Sequence, residues 1–432
     1  MPERRVAFLS EHASPLALLG SEDAGGQNVY VDEVSRNLVG HGYAVDVFTR
    51  QDNRTTPEIV AWAPGVRVIN LPAGPAEFIL KDEIWPYMPD FRDAFLRFQA
   101  RSDHYDVIHG NFWMSGWVAV EIKRLTRAPV VQIFHATGKT KRRYQGGADT
   151  SPSDRIETEL RVVREADRII AQCPAERNEL VEDYLAPSDR VHVIPSAVNI
   201  ERFTPLPIDE AKRNLGLDPN DMVIVYIGRM LPRKDARNIV RALALLRRDD
   251  LPVRLLLVGG DTTDPDPTAT PEIGALRELA GRLGVLDRVV FTGKRQPDEL
   301  HRYYSAGDIA VTTPWYEPFG LTPLEAMACG RPVIGSAVGG LTYTIEDGVT
   351  GFLVPPRDPD TLAARLRELL TEPQRRDSMG RAARERVERE FTWPLVAKRT
   401  AALYDDVLAG IDSNGVSEQR VAAGTGGMRW RR

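Results

Sequence analysis

Two glutamates, Glu317 and Glu325, stand eight positions apart in the segment Pro314-Trp315-Tyr316-Glu317-Pro318-Phe319-Gly320-Leu321-Thr322-Pro323-Leu324-Glu325. Between them lie a glycine turn and a helix start. A carboxylate accepts two hydroxyls at once, and free N–H groups at a helix start attract anions. The segment can therefore hold one ligand that is both polyhydroxylated and phosphorylated. A residue before proline is pushed out of the helical region, so Glu317 is expected to be extended and without a capping duty. Thr322 and Glu325 also fit a capping box, with Pro323 at the first helical position. Glu325 thus has a structural role open to it beside a ligand role. Either way, the N–H groups of Gly320, Leu321 and Thr322 are offered to an anion.

Three further segments carry candidate chemistry. Asp23-Ala24-Gly25-Gly26-Gln27-Asn28-Val29 follows an apolar run and opens a helical pattern. Its paired glycines let backbone N–H groups approach a phosphate, although an ordinary glycine-rich turn has the same form. Gly228-Arg229-Met230-Leu231-Pro232-Arg233-Lys234 again follows a strand pattern. Arg229 offers a fork and Lys234 a point charge to a diphosphate; two solvated cations are the plainer reading. His135 ends the run Val130-Val131-Gln132-Ile133-Phe134. A carboxyl strand end favours a site, against a satisfied core histidine. The basic run Lys139-Thr140-Lys141-Arg142-Arg143 could meet a phosphorylated acceptor or an anionic membrane face, though such runs are usually solvated.

The elements that must position these residues are legible from periodicity. Short β-branched runs alternate with amphipathic helical patterns, which argues for parallel sheets covered by helices on both faces. In the first half the expected strands are 5–10, 44–49, 66–71, 106–110, 129–134, 168–171 and 191–194. The helices are 29–40, 90–101, 117–125, 153–166 and 175–184. The pattern breaks over the proline-containing stretch 195–207, a candidate linker. In the second half the strands are 222–227, 254–258, 288–292, 309–312, 332–335 and 351–354. The helices are 236–247, 272–283, 297–305, 323–328, 361–370 and 373–390. This is an α/β chain of two doubly wound domains, in which ligands bind beyond the carboxyl ends of the strands.

Composition narrows the function classes. The 432 residues carry a formal net charge of −5, which disfavours a general nucleic-acid surface. Two distant cysteines, Cys173 and Cys329, give neither a disulfide framework nor a metal spacing. No apolar run approaches a membrane span or a secretory signal, so a cytoplasmic protein is expected. Asp264-Pro265-Asp266 sits in a proline-rich loop, and no metal or other cofactor is expected. No GxGxxG follows the first strand, which counts against a dinucleotide-binding dehydrogenase.

Together the four segments resemble the retaining glycosyltransferases of family GT4, with the GT-B fold, from Arg5 to about Leu408. The resemblance implies a hexose moved from a nucleotide diphosphate sugar, a UDP-sugar being favoured, to a hydroxyl acceptor. It implies a Rossmann-like acceptor domain over 1–200 and a nucleotide-sugar domain over 201–390. A helix over 391–412 crosses back, and 413–432 is expected to be disordered. His135, Arg229, Lys234 and Glu317 would act at the reacting centre. Gly25, Gly26, Lys294, Arg295, Gly320, Leu321, Thr322 and Glu325 would hold the donor. Two branches look similar: the inositol-phosphate glycosyltransferase of mycothiol synthesis, through Ser14-Pro15-Leu16 and Asp23–Tyr30, and the sucrose synthase and sucrose-phosphate synthase group, through His135–Lys141. On the acceptor side the first branch implies Asn28, Lys81, Phe112, Ala136 and Arg155. Phe112 and Ala136 stand where that branch has a Tyr and a Thr. A lipid-linked or polysaccharide acceptor, or a nucleotide-sugar epimerase of the same fold, is the alternative. Donor base, sugar, linkage and subunit number stay open.

Overall fold

The computed structural model describes residues 4–17, 25–101, 104–247, 249 and 251–424, with side chains described as far as 410. Asp23 and Ala24 of the first glycine motif lie outside the described residues. The first sheet contains β1 (Arg4–Leu9), β2 (Tyr43–Arg50), β3 (Ile59–Ala63), β4 (Val66–Leu71), β5 (Val107–Asn111), β6 (Val130–Ile133), β7 (Arg168–Ala171) and β8 (Val191–Val193). Its order is β3-β4-β2-β1-β5-β6-β7-β8. The second contains β9 (Met222–Ile227), β10 (Val253–Val258), β11 (Val289–Gly293), β12 (Ile309–Thr312), β13 (Val333–Ser336) and β14 (Gly351–Val354), ordered β11-β10-β9-β12-β13-β14. Pairing is parallel throughout both sheets except between β3 and β4.

Parallel strands covered on both faces read as continuous apolar runs, because successive side chains enter two different cores. In β1, Ala7 and Leu9 pack with Phe91, Phe95 and Trp113 on one face. Val6 and Phe8 pack with Tyr30 and Val34 on the other. In β9, Ile224 and Tyr226 join Ile239 and Leu243, while Val223 and Val225 join Leu324 and Met327. In each sheet the strand order reverses beside the central strand, between β1 and β5 and between β9 and β12. A crevice opens at such a reversal, at the carboxyl ends.

The chain crosses back at its end. Val198 N–H donates to the Phe391 carbonyl at 3.1 Å, and the helix Trp393–Gly424 follows. Trp393, Val396, Ala397 and Tyr404 of that helix complete the core that Tyr30 and Val34 begin. Tyr404 Oη lies 2.5 Å from His109 Nδ1. The helix is continuous past Ser413, where a disordered tail was expected. Residues 425–432 lie outside the described residues.

Among the elements that the sequence reading did not include are an edge strand and two helices. β3 is a half-exposed edge strand whose alternation is broken by a register shift between Ala61 and Ala63. The helix Gly138–Gln145 coincides with the basic run and has one buried residue, Gly138, so it carries no apolar stripe. The short helix Ile208–Asn214 directly follows the proline-rich stretch. The first-domain helix also begins earlier than expected, at Gly26.

Candidate active site

A cavity of about 510 Å³ lies between the two domains. Gly25, Gly26 and His135 line it from the first domain, and Arg229, Lys234 and Glu317 from the second. Lys294, Arg295, Gly320, Leu321, Thr322 and Glu325 also border it. The donor and reacting-centre residues expected from the sequence therefore share one space.

The reversal beside β9 explains the placement of Lys234. The loop after β9 and the loop after β12 leave adjacent strands and are tied by backbone. Trp315 N–H donates to Arg233 O at 2.9 Å, and Thr313 Oγ1 donates to Asp235 O at 2.9 Å. Asp235 takes the left-handed conformation, φ 50°, that ends the tight turn Pro232–Lys234. Lys234 Nζ is thereby brought onto Glu317 Oε2 in an ion pair. Both side chains are mostly covered, at 16% and 14% exposure. Burial pulls the Lys234 ammonium below its ordinary range, and Glu317 opposes that pull. Glu317 serves no cap, as the preceding-proline argument expects.

The loop carrying Glu317 lies on a glycine pair absent from the sequence reading. Gly340 N–H donates to Glu317 O at 2.9 Å. Gly339 has φ 46°, and a Cβ there would sit 2.1 Å from the same oxygen. Only glycine allows that approach. The signal was available: Gly339-Gly340 follows the apolar run of β13, as Gly25-Gly26 follows that of β1.

The helix Leu321–Ala328 starts from Gly320, φ 91°, with no side-chain cap. The expected capping box therefore does not form, because the helix begins before Thr322 and not after it. Glu325 instead accepts a hydrogen bond from Tyr304 Oη at 2.8 Å. Burial pushes its carboxyl up to about 7, against that bond and the Arg202 charge. Across the cleft, a Cβ on Gly26 would come 3.2 Å from Leu321 Cδ1, so the first-domain glycine faces this helix start closely.

His135 is half-buried with φ 59°. Its Nε2 lies 3.2 Å from Asn111 Oδ1, and its ring sits edge-on to Tyr30 with centroids 5.0 Å apart. Burial, with His109 and His12 adding, holds the imidazole at about 3, so it is neutral at neutral pH. Lys294 N–H donates to Thr262 O at 2.8 Å, and Arg295 Nε donates to Tyr303 Oη at 2.6 Å. These bonds fix the backbone of that segment along the cavity.

Of the expected acceptor residues, Ala136 lines the cavity, and Lys81 and Arg155 converge on the ring of Phe112. Arg155 lies 5.0 Å from its centroid and Lys81 6.0 Å. Arg155 is 2% exposed. Its Nη2 donates to Ala136 O at 2.6 Å, Nη1 to Ser151 Oγ at 3.1 Å and Nε to Glu159 Oε1 at 2.8 Å. Asn28 is tied to the glycine turn. Its Oδ1 accepts from Gly25 N–H at 2.9 Å and its Nδ2 donates to Ser14 O at 3.0 Å. It shapes the glycine turn, and its amide is committed to backbone. In the basic run, Lys141 pairs with Asp149 at 3.1 Å and Arg143 with Asp183 at 2.8 Å. Lys139 Nζ donates to the Asp183 carbonyl.

Two facing doubly wound domains with this cleft define a GT-B glycosyltransferase. Residues 25–197 match the family described as Glycosyl transferase 4-like domain, and residues 207–386 match Glycosyl transferases group 1. The chain belongs to this glycosyltransferase family. It is 38% identical over 425 residues to the D-inositol 3-phosphate glycosyltransferase of Geodermatophilus obscurus, covering 98% of this chain and 93% of that one. The protein of the same name from Kribbella flavida is 39% identical over 410 residues, with 93% and 96% covered. Sucrose-phosphate synthase from Thermosynechococcus elongatus superposes with a TM-score of 0.84 at 34% identity, covering 94% of this chain and all of the other. Anabaena HepE in complex with UDP and glucose has the same fold, at TM-score 0.70 and 20% identity, with 93% of this chain and 100% of HepE covered. Among the described residues no helix is long and apolar enough to cross a membrane.

Proposed function

We propose that this glycosyltransferase moves a hexose from a UDP-sugar to a hydroxyl of a phosphorylated polyol, with retention at the anomeric carbon. The observation that carries the donor half is the Lys234–Glu317 pair in the interdomain cavity, opposite Gly25 and Gly26. Glu317 takes hydroxyls of the transferred hexose. Arg229, Lys234 and the helix start at Gly320–Thr322 neutralise the diphosphate as it leaves, so charge develops among fixed donors and needs no metal. Glu325 holds the ribose, and the Lys294–Arg295 backbone borders the base. The departing phosphate takes the acceptor proton. His135, neutral, faces the hexose as a hydrogen-bonding group and not as a cation. Closure of the two domains excludes water.

The acceptor half rests on the relatives' name and on Lys81 and Arg155, both turned to Phe112. Phe112 and Ala136 offer no hydroxyl, so a phosphate here is gripped with fewer bonds. The reaction is assigned to the cytoplasm, in keeping with two buried free thiols. The test is incubation of UDP-glucose or UDP-N-acetylglucosamine with D-inositol 3-phosphate, read by proton NMR. The expected product is a glycoside of the same anomeric configuration as the donor. Free epimerised donor without a glycoside would instead show an epimerase.

A further inference from the structure

The helix Gly138–Gln145 reaches from the acceptor cluster to the donor loop. At its start, Gly138 N–H donates to both Glu159 oxygens, at 3.0 and 2.9 Å, and Glu159 is the ion-pair partner of Arg155. One turn on, Lys141 Nζ donates to Ser151 Oγ at 2.9 Å, the same oxygen that accepts from Arg155. The acceptor cluster thus grips the first turn by backbone and by side chain.

The other end of the helix touches the second domain. Tyr144 stacks on Tyr316 with ring centroids 5.0 Å apart and planes 15° from parallel. Gln145 Nε2 donates to Tyr316 Oη at 2.6 Å. Arg233 places its guanidinium 5.3 Å from the centroid of the same ring. Tyr316 is 8% exposed and directly precedes Glu317. Tyr144 is 46% exposed, so its ring fills no core. Instead it covers a tyrosine of the other domain, next to the carboxylate assigned to the sugar.

We propose that Tyr144 and Gln145 are positioning residues for sugar transfer. They fix Tyr316, and through it the backbone of Glu317, from a helix whose start belongs to the acceptor cluster. The domains are thereby latched beside the hexose, and the latch is tied to the acceptor side. The inference rests on the assignment of Glu317 to the hexose. It requires no chemistry from Tyr144 or Gln145 themselves.

The experiment compares the full-length wild type with Tyr144→Ala, Gln145→Ala, Tyr144→Phe and Tyr316→Phe. Calorimetry gives the affinities for UDP and UDP-glucose. Rates of UDP-glucose hydrolysis and of transfer to D-inositol 3-phosphate are followed in parallel, with thermal melts to confirm folding. In Tyr144→Ala and Gln145→Ala, UDP affinity should stay within about twofold while transfer falls about tenfold or more, because a reacting group is displaced. The share of donor lost to hydrolysis should rise as water enters. Tyr144→Phe keeps the stack and should restore transfer, whereas Tyr316→Phe removes only the hydroxyl and should match Gln145→Ala. Unchanged transfer in both alanine variants, or a loss of UDP affinity as large as the loss of transfer, would overturn the latch. If wild type transfers nothing to inositol 3-phosphate, the acceptor reading fails on its own. The latch is then decided by the preference for UDP-glucose over UDP, which Tyr144→Ala must weaken; an unaltered preference overturns it.

Discussion

The donor and acceptor halves of this cleft are built on opposite plans. The charged donor groups Arg229, Lys234, Glu317 and Glu325 come from the chain after two adjacent strands, β9 and β12, and border an open cavity. The acceptor cluster is assembled from four distant segments, around Lys81, Phe112, Ala136 and Arg155. There the cations are already answered: Arg155 by Glu159, and Lys141 by Asp82 and Asp149. One side presents its charged groups to an open cavity. The other is close to a satisfied core. Substitutions on the two sides should therefore separate activity from stability.

The largest effect is expected at the buried side. Arg155→Ala leaves Glu159, which is fully buried, without its cation. Breaking such a pair costs about 3–5 kcal/mol, read as a shift of the urea midpoint. A fully stable Arg155→Ala protein that had lost only acceptor binding would break the comparison. On the donor side, Lys234→Ala should lower turnover by about 10²–10³, or roughly 2.7–4 kcal/mol of transition-state stabilisation. Its melting temperature should move less than that of Arg155→Ala, since the pair it breaks borders the cavity and Glu317 can still reach water there. Retention of most activity would show that the diphosphate is neutralised elsewhere. Arg229→Ala is expected to behave in the same way.

The acceptor side can be sharpened by addition as well as by removal. Phe112→Tyr and Ala136→Thr each place a hydroxyl where the resembling branch has one. A hydrogen bond to a charged group is worth about 1.5–3 kcal/mol. KM for D-inositol 3-phosphate should therefore fall, with turnover nearly constant. A rise in KM would mean that the acceptor carries no phosphate at this point.

The smallest effect concerns pH. The Glu325 carboxyl is raised to about 7 by burial, so the folded protein holds a proton that the unfolded chain releases at lower pH. Its contribution favours folding at low pH and is lost as pH rises from the ordinary carboxyl range through about 7. Glu176, pushed up to about 8 by burial, acts in the same direction. Glu325→Gln should remove part of this slope, on the order of 1 kcal/mol between pH 5 and 8. An unchanged slope in urea titrations at those pH values would place the carboxyl's pKa at its ordinary value.

The two plans also explain what the sequence disclosed. The alternation of apolar runs and amphipathic helices revealed both sheets, because buried parallel strands admit few polar residues. The donor segment was legible because Glu317, the glycine turn and Glu325 lie on one short stretch of chain. Its internal detail was not: Thr322 suggested a cap, yet Gly320 starts the helix earlier by taking a positive φ. The helix Gly138–Gln145 escaped because its stability comes from tertiary ion pairs and not from an apolar stripe. The part that Asn28 plays in the glycine turn was not legible, because its hydrogen bonds are to backbone atoms, which carry no sequence signature. The latch between Tyr144 and Tyr316 joins residues of different domains, and no periodicity within either domain could indicate it.

The central claim is that Glu317 reads the sugar while its neighbours hold the nucleotide. Calorimetry of UDP and UDP-glucose on the wild type and on Glu317→Gln tests it most directly. The account predicts that the substitution leaves UDP affinity nearly unchanged and abolishes the additional affinity for UDP-glucose. Equal losses for both ligands would contradict it.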